Sequence, residues 1–301
     1  MQSPPRSQER YRPRLTQAGL DPCRRVEAVD EHGKVQEREI AGERPLTLYL
    51  DKREIVTLMT LGSHPELLVL GYLRNQGILS DPEEVAEVQV DWETESAVVV
   101  TRAGVSELDE KLGTRTVTTG CGQGTVFGKL MDHLERSALK EPVEVRQSEI
   151  YGTLDAINQY NEVYRRAGAV HGCALCRDQD IEMFVEDVGR HNAVDAIAGH
   201  MWLEGMPGRS RIFYTTGRLT SEMVMKVAQM GIPTLLSRSG ITEMGLDLGR
   251  RLGITLIARA KGTRFQVYNG ADQVVFDDEP TPYPKHDRGD KARADSASQE
   301  G

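Results

Sequence analysis

The chain has 301 residues and a formal net charge of -9, from 37 Lys and Arg against 46 Asp and Glu, with 39% hydrophobic residues. That length can bury a sizeable core and argues for about two domains, while the acidic balance excludes the broad basic footprint of a general nucleic-acid binder. No apolar run approaches the ~20 residues of a membrane-spanning helix, and no apolar segment follows the N-terminal arginines as a secretory signal would require. A cytoplasmic protein with no membrane partner is therefore expected. The four cysteines, Cys23, Cys121, Cys173 and Cys176, are too few for a disulfide framework at this size and are expected as reduced thiols.

Residues 1–25, rich in Arg, Gln and Pro, and residues 277–301, rich in Pro, Asp, Lys and Ser, carry too little apolar surface to offset their ordering entropy. Both are expected as disordered tails. Leu46–Leu50 and Ile55–Met59 flank Asp51-Lys52-Arg53-Glu54 and predict a hairpin. Ser63, with Glu66 three residues on and Pro65 between them, predicts a capping box opening a helix that carries Leu67, Leu70 and Leu73 and stops at Gly77. Asp81 opens a short helix through Val85. Gln89-Val90 and Ala97–Val100 predict strands. An α+β domain over 26–146 follows.

From Ser148, the spacing through Ile150, Leu154, Ile157, Asn161 and Tyr164 predicts one amphipathic helix ending at Gly168. Strands at Ile212–Thr215, Pro233–Ser237 and Ile254–Ala258 then alternate with helices at Ser221–Met230 and Thr242–Leu252. Short joints in this alternation predict an α/β domain over 147–276 with a mainly parallel sheet.

In an open parallel sheet, ligands bind beyond the carboxyl ends of the strands. Three expected loops leave those ends: Thr216-Gly217-Arg218, Ser237-Arg238-Ser239-Gly240, and Arg259-Ala260-Lys261-Gly262-Thr263-Arg264. They bring Arg218, Arg238, Arg259, Lys261 and Arg264 to one edge of an acidic protein. Guanidinium forks match phosphate oxygens, so this edge is expected to hold a phosphate-bearing, nucleotide-like ligand.

Cys121 stands in a different setting, Thr118-Thr119-Gly120-Cys121-Gly122-Gln123-Gly124-Thr125. Three glycines around one thiol suit a mobile arm that presents sulfur for covalent work. By contrast His171-Gly172-Cys173-Ala174-Leu175-Cys176 is open to three readings: a redox pair, a zinc site with His171, or small packing residues on a strand. The zinc reading lacks the upstream His-x-Glu and the Pro-Cys-x-x-Cys spacing of zinc deaminases, and packing is favoured. The segment Glu186–Asp195 gathers acid, base and amide side chains around Gly189, and His191 either binds ligand or caps the following helix.

Taken in order, Pro45-Leu46-Thr47, Val56–Met59, the Cys121 loop, His171, Glu186–Asp195, Gly217-Arg218 with Ser221-Glu222, Gly231-Ile232-Pro233 and Gly253–Leu256 resemble the formate dehydrogenase accessory sulfurtransferase family, FdhD. The resemblance runs from about Arg44 to Tyr268. It implies a cytoplasmic homodimer whose second domain has a cytidine-deaminase-like fold without zinc. It further implies a sulfurtransferase that receives persulfide sulfur from a cysteine desulfurase. That sulfur passes to the molybdenum of a bis-(molybdopterin guanine dinucleotide) cofactor destined for formate dehydrogenase. By position, Cys121 matches the persulfide carrier, and Arg259, Ala260, Lys261, Gly262, Thr263 and Arg264 match the cofactor-binding segment. One departure stands out: the family commonly has Cys-Gly-x-Cys, and the second position here is Gly124. Cys173 or Cys176 could replace the missing thiol if either lay close. A non-catalytic cofactor chaperone is the alternative activity.

Overall fold

The structure is a computed structural model that describes residues 11–104, 116–117, 124–125 and 142–280. In chain order its strands are β1 (Arg14–Leu15), β2 (Cys23–Val29), β3 (Val35–Ala41), β4 (Arg44–Leu50), β5 (Arg53–Thr60), β6 (Val85–Asp91), β7 (Ser96–Thr101), β8 (Thr116–Val117), β9 (Gly124–Thr125), β10 (Val145–Arg146), β11 (His171–Arg177), β12 (Asp180–Asp187), β13 (Ile212–Thr215), β14 (Thr234–Ser237), β15 (Thr255–Lys261), β16 (Arg264–Asn269) and β17 (Val274–Val275). The helices are α1 (Pro65–Asn75), α2 (Gln147–Ile157), α3 (Glu162–Ala167), α4 (Arg190–Glu204), α5 (Ser221–Gln229) and α6 (Glu243–Leu252).

Two larger sheets organise these elements. The first is five-stranded in the order β1-β6-β7-β4-β5, and the second six-stranded in the order β12-β11-β13-β14-β15-β16. The expected alternation of strands and helices does give a parallel centre, β13-β14-β15. The flanking pairs β11–β12, β11–β13 and β15–β16 are antiparallel, so the sheet as a whole is mixed. Side chains alternate between two buried faces along β11: Cys173 and Leu175 enter one core cluster, Ala174 and Cys176 the other. Strands buried on both faces read as near-continuous apolar runs. The packing role of the two cysteines follows from that position.

The larger core cluster runs from Leu46 to Ala258 and joins the first sheet, α1, α4, α5, α6 and the inner face of the second sheet. The smaller lies on the outer face of the second sheet, beneath Ile150, Leu154 and Ile157 of α2. At the centre, α1 crosses α4 at backbone contact. A Cβ on Gly71 would lie 1.7 Å from the Asp195 carbonyl oxygen, and one on Gly199 2.1 Å from that of Leu67.

Four expectations are corrected. Residues 11–25 are placed, not a tail: β1 pairs with β6, Tyr11 donates to the Val85 carbonyl, and Trp92 Nε1 donates to that of Ala18 at 2.6 Å. A polar average hid these few anchors. At the other end Asp277 accepts from Ser148 N at 3.0 Å and Ser148 Oγ at 2.9 Å at the start of α2, so the ordered chain passes 277; residues 281–301 lie outside the described residues. The Ser63–Glu66 capping box does not form. His64 is the N-cap, and Glu66 instead accepts from Ala18 N at 2.7 Å. Finally, the helix predicted through Gly168 breaks into α2 and α3, because the Glu186 carboxylate caps a new start by accepting from Val163 N at 2.8 Å and Tyr164 N at 2.9 Å.

The crossing yields a test. Gly71→Ala is expected to lower unfolding free energy by about 3 kcal/mol, since the methyl must push two helix backbones apart. Gly240→Ala, where an added Cβ meets nothing within 4 Å, should stay within about 0.5 kcal/mol of the parent. Urea denaturation of both variants measures the difference.

Candidate functional site

The carboxyl edge of β13 and β14 is built by hydrogen bonds between successive loops. Thr215 Oγ1 accepts from Gly217 N at 3.0 Å, Ser237 Oγ donates to the Gly217 carbonyl at 2.7 Å, and Ser239 N donates to Ser237 Oγ at 2.9 Å. Backbone bonds continue the lacing: Arg238 N to Thr215 O, Leu219 N to Gly240 O, and Arg259 N to Ser239 O at 2.8 Å. Glycine is required at 217, where a Cβ would come 2.7 Å from Arg190 Cδ. Arg218, Arg238 and Arg259 are thus carried on three segments whose backbones are tied to one another. All three side chains are exposed.

The expected third loop is in fact a hairpin. Arg259, Ala260 and Lys261 end β15, Gly262 and Thr263 turn, and Arg264 starts β16. The sheet register shifts between Ala258 and Lys261. At this bulge Arg259 takes φ +53°, a left-handed conformation that costs a non-glycine residue about 1–2 kcal/mol. As a result Ala258 enters the larger core, Ala260 the smaller, and Arg259 is turned out to solvent. Propensity could not show this, because arginine gives no sequence signal for left-handed backbone.

A cavity of about 330 Å³ opens beside this edge, lined by Asn161 and Tyr164 of α3's start, His171 and Gly172 of β11, Thr216 and Arg238. Its floor is fixed by Thr216 N donating to the Gly172 carbonyl at 2.9 Å and Gly172 N donating to Thr216 Oγ1 at 3.0 Å. His171 is held below its ordinary pKa by burial, with the charges of Arg190 and Arg218 adding to the effect, and so presents a neutral imidazole. Asn161 and Tyr164 were legible in the sequence only as helix positions; their exposure at a pocket depends on the break that Glu186 creates.

Several guanidinium groups elsewhere meet acids, Arg12 with Glu204, Arg14 with Glu87, Arg166 with Glu39, and Arg211 with Glu182, while others meet carbonyls or a ring, as Arg165 and Arg102 do. Arg218, Arg238, Arg259 and Lys261 make no ion pair with any described carboxylate. Unpaired forks above a polar cavity can receive an anionic ligand.

Behind the cavity, His191 lies with Nε2 3.3 Å from Glu222 Oε2, and Lys226 Nζ is 3.9 Å from the other oxygen of that carboxyl group. Lys226 also donates to Asp195 at 2.7 Å, and Asn75 Nδ2 donates to the second Asp195 oxygen at 2.7 Å. Burial first, then the charges of Lys226, Arg190 and His171, push the His191 pKa down to about 2, while burial raises that of Glu222. The contact is therefore between a neutral imidazole and a carboxyl group, not an ion pair. His191 neither caps α4, whose N-cap is Gly189, nor lines the cavity.

Cys121 lies outside the described residues, flanked by the antiparallel pair β8 and β9. Gly124, the position of the absent second loop cysteine, is in β9. Cys173 and Cys176 are fully buried. Burial pushes the Cys173 thiol up to about 12 and the Cys176 thiol further still, so both are poor nucleophiles. No group of metal-ligating side chains occurs among the described residues, and no described helix is long and apolar enough to cross a membrane.

The fold is that of a mixed α/β protein with basic side chains exposed at the carboxyl edge of its second sheet. Residues 41–275 match the FdhD/NarQ family, and the chain belongs to that family. It is 30% identical over 245 residues to the sulfur carrier protein FdhD of Bacillus subtilis (strain 168), covering 81% of this chain and 93% of that one. It is 31% identical over 254 residues to the sulfur carrier protein FdhD of Listeria innocua, covering 81% and 95%. Among solved structures, a Desulfotalea psychrophila protein described as a candidate formate dehydrogenase accessory protein superposes with TM-score 0.66. It is 26% identical, with 84% of this chain and 98% of that one covered.

Two outcomes follow. Arg259→Gly should raise unfolding free energy by about 1 kcal/mol by relieving the left-handed strain, while weakening anion binding at the rim. Thermal unfolding and calorimetric titration with pyrophosphate read the two effects. For His191 the folded pKa lies below the unfolded value near 6.5, so the unfolded chain takes up a proton the folded one refuses. The contribution of His191 is complete above about pH 6.5 and is lost as pH falls below that value. His191→Gln should flatten the denaturation profile between pH 6.5 and 4.

Proposed function

We propose that this protein carries sulfur as a persulfide on Cys121 and delivers it to the molybdenum of a bis-(molybdopterin guanine dinucleotide) cofactor required by formate dehydrogenase. The observation that carries the reading is the match, over nearly their whole length, to relatives named sulfur carrier proteins. The unpaired rim of Arg218, Arg238, Arg259 and Lys261 supports an anionic, nucleotide-bearing ligand independently. The rest of the reading is a cytoplasmic homodimer that meets a cysteine desulfurase and formate dehydrogenase in turn.

The chemistry is thiol exchange. Cys121 thiolate attacks the terminal sulfur of a donor persulfide, the donor cysteine leaves as thiolate, and Cys121-S-SH results. Release as sulfide takes two electrons. A thiol that attacks Cys121 Sγ supplies them, expelling hydrosulfide and leaving a disulfide. With Gly124 in the loop and Cys173 and Cys176 buried, that thiol comes from outside the chain or from half-buried Cys23. Residues 259–264 and the strand-end arginines would hold the cofactor's phosphates, and the metal supplies the site at which sulfur is finally bound.

Incubation with a desulfurase and cysteine should add one sulfur to Cys121 by mass spectrometry. Cys121→Ser is expected to abolish activation of formate dehydrogenase and to leave nucleotide binding unchanged. A serine variant that still activates the enzyme would leave the chaperone role, binding without sulfur transfer, as the activity.

A further inference from the structure

The ribbon of β2 and β3 stands apart from both larger sheets. It is a two-stranded sheet of its own, and among the described residues no other strand pairs with either edge. A lone two-stranded hairpin is marginal in water. One end of this ribbon is anchored, because Arg166 of α3 donates to Glu39 through two guanidinium nitrogens at 2.8 Å. The other end is bare. Val29 and Val35 face each other beside the turn and are 68% and 64% exposed.

The register runs without a bulge from Cys23 opposite Ala41 to Val29 opposite Val35. Backbone bonds just beyond the two ends fix the direction of each peptide group. Gly42 N donates to the Pro22 carbonyl at 2.8 Å, and Asp30 N donates to that of Lys34 at 3.0 Å. Opposed pairs in an antiparallel ladder alternate between bonded and non-bonded. The even-numbered residues of β2 therefore bond inward to β3, and Arg25, Glu27 and Val29 turn their N–H and C=O groups to the free edge. Such an edge is a template for another strand, and natural proteins blunt it with proline, bulges or short length. β2 has seven residues, no proline and no bulge.

We propose that β2 pairs antiparallel with β2 of a second copy of this chain, across a twofold axis at Val26, to form a continuous four-stranded sheet. Position, charge and backbone direction agree on that register. Val26 is the middle residue of β2, so every residue of the strand finds a partner. The axis sets Arg25 opposite the second copy's Glu27 twice over, and both residues turn their peptide groups outward, so these pairs are hydrogen-bonded as well. Within one copy Glu27 stands directly opposite Glu37, a like-charge pair that costs stability, and Arg25 lies 3.7 Å from Glu37 instead. Neighbouring registers are worse. An axis at Arg25 or at Glu27 opposes that residue to itself. Along β3, an axis at Gln36 opposes Lys34 to Arg38, one at Glu37 opposes it to itself, and one at Arg38 opposes Glu37 to Glu39. The strand contact rests on the reading of the chain as a homodimer and gives that homodimer its surface.

Sedimentation equilibrium of the full-length chain tests the contact. A seven-residue strand pair is small beside a standard interface, so the parent is expected to dimerise in a concentration-dependent way. Arg25→Glu and, separately, Glu27→Arg should each weaken dimerisation at least about 10-fold, because the axis doubles every like-charge contact. Arg25→Glu combined with Glu27→Arg restores opposite charges and should return to within about threefold of the parent. Both side chains are exposed, and circular dichroism confirms that the variants fold. A non-bonded antiparallel pair brings two Cα atoms to about 4.5 Å, within disulfide reach. In a Cys23→Ser background, Val26→Cys should therefore cross-link to its own copy under mild oxidation and Arg24→Cys should not, with peptide mass identifying the linkage. A dimer that ignores both charge reversals and forms no linkage at Val26 overturns the strand contact and leaves the homodimer standing. A combined variant no tighter than either single one overturns the register. A chain that stays monomeric at every concentration overturns both the contact and the homodimer.

Discussion

Two glycines set the distance on which the molecule depends. Gly71 of α1 and Gly199 of α4 let two helix backbones touch, and through that contact the five-stranded sheet is joined to the six-stranded one. The crossing also brings Asn75 to Asp195, and Asp195 to Lys226 of α5, in a fully buried hydrogen-bonded chain. A buried ion pair is expensive to desolvate and is weak evidence of stability in itself. Its consequence here is geometric: a carboxylate that must satisfy partners on two other helices admits few alternative packings.

The same economy runs through the segment that contains Asp195. Glu186 caps α3. Asp187 accepts from Thr60 Oγ1 at 2.6 Å, Leu61 N at 3.2 Å, Gly189 N at 3.0 Å and Asn192 Nδ2 at 2.8 Å, tying the end of β5 to the start of α4. Asn192 also donates to the Met59 carbonyl at 2.6 Å. A motif that suggests chemistry by its density of polar groups is largely engaged in joining the two sheets.

The sequence disclosed the parts of the fold governed by local periodicity. The hairpin of β4 and β5, the strands β13, β14 and β15, and the helices between them all follow from apolar spacing and turn residues. The cationic edge was equally legible, because strand ends and arginines are both local features. What stayed hidden depends on contacts between residues far apart in the chain. Glu186 breaks a helix about twenty residues upstream; Trp92 and Glu66 hold an N-terminal segment whose own composition suggests disorder. The pairing of His191 with Glu222 could not be read from either residue's neighbours. Cys121 stands out by its glycines and by the family resemblance, and the described residues do not include it.

The placement of charge gives the strongest physical reason to regard the strand-end rim as functional. In a protein with nine more acids than bases, Arg12, Arg14, Arg166 and Arg211 each meet a carboxylate. Arg218, Arg238, Arg259 and Lys261 meet none among the described residues and stand together at one sheet edge. Like charges brought together repel, and Arg259 adds a left-handed backbone that glycine would adopt at no steric cost. Strain of this kind persists where the surrounding structure over-determines it, and the bulge does so by burying Ala258 and Ala260 on opposite faces. A phosphate-bearing ligand at this edge, as proposed above, would relieve that repulsion.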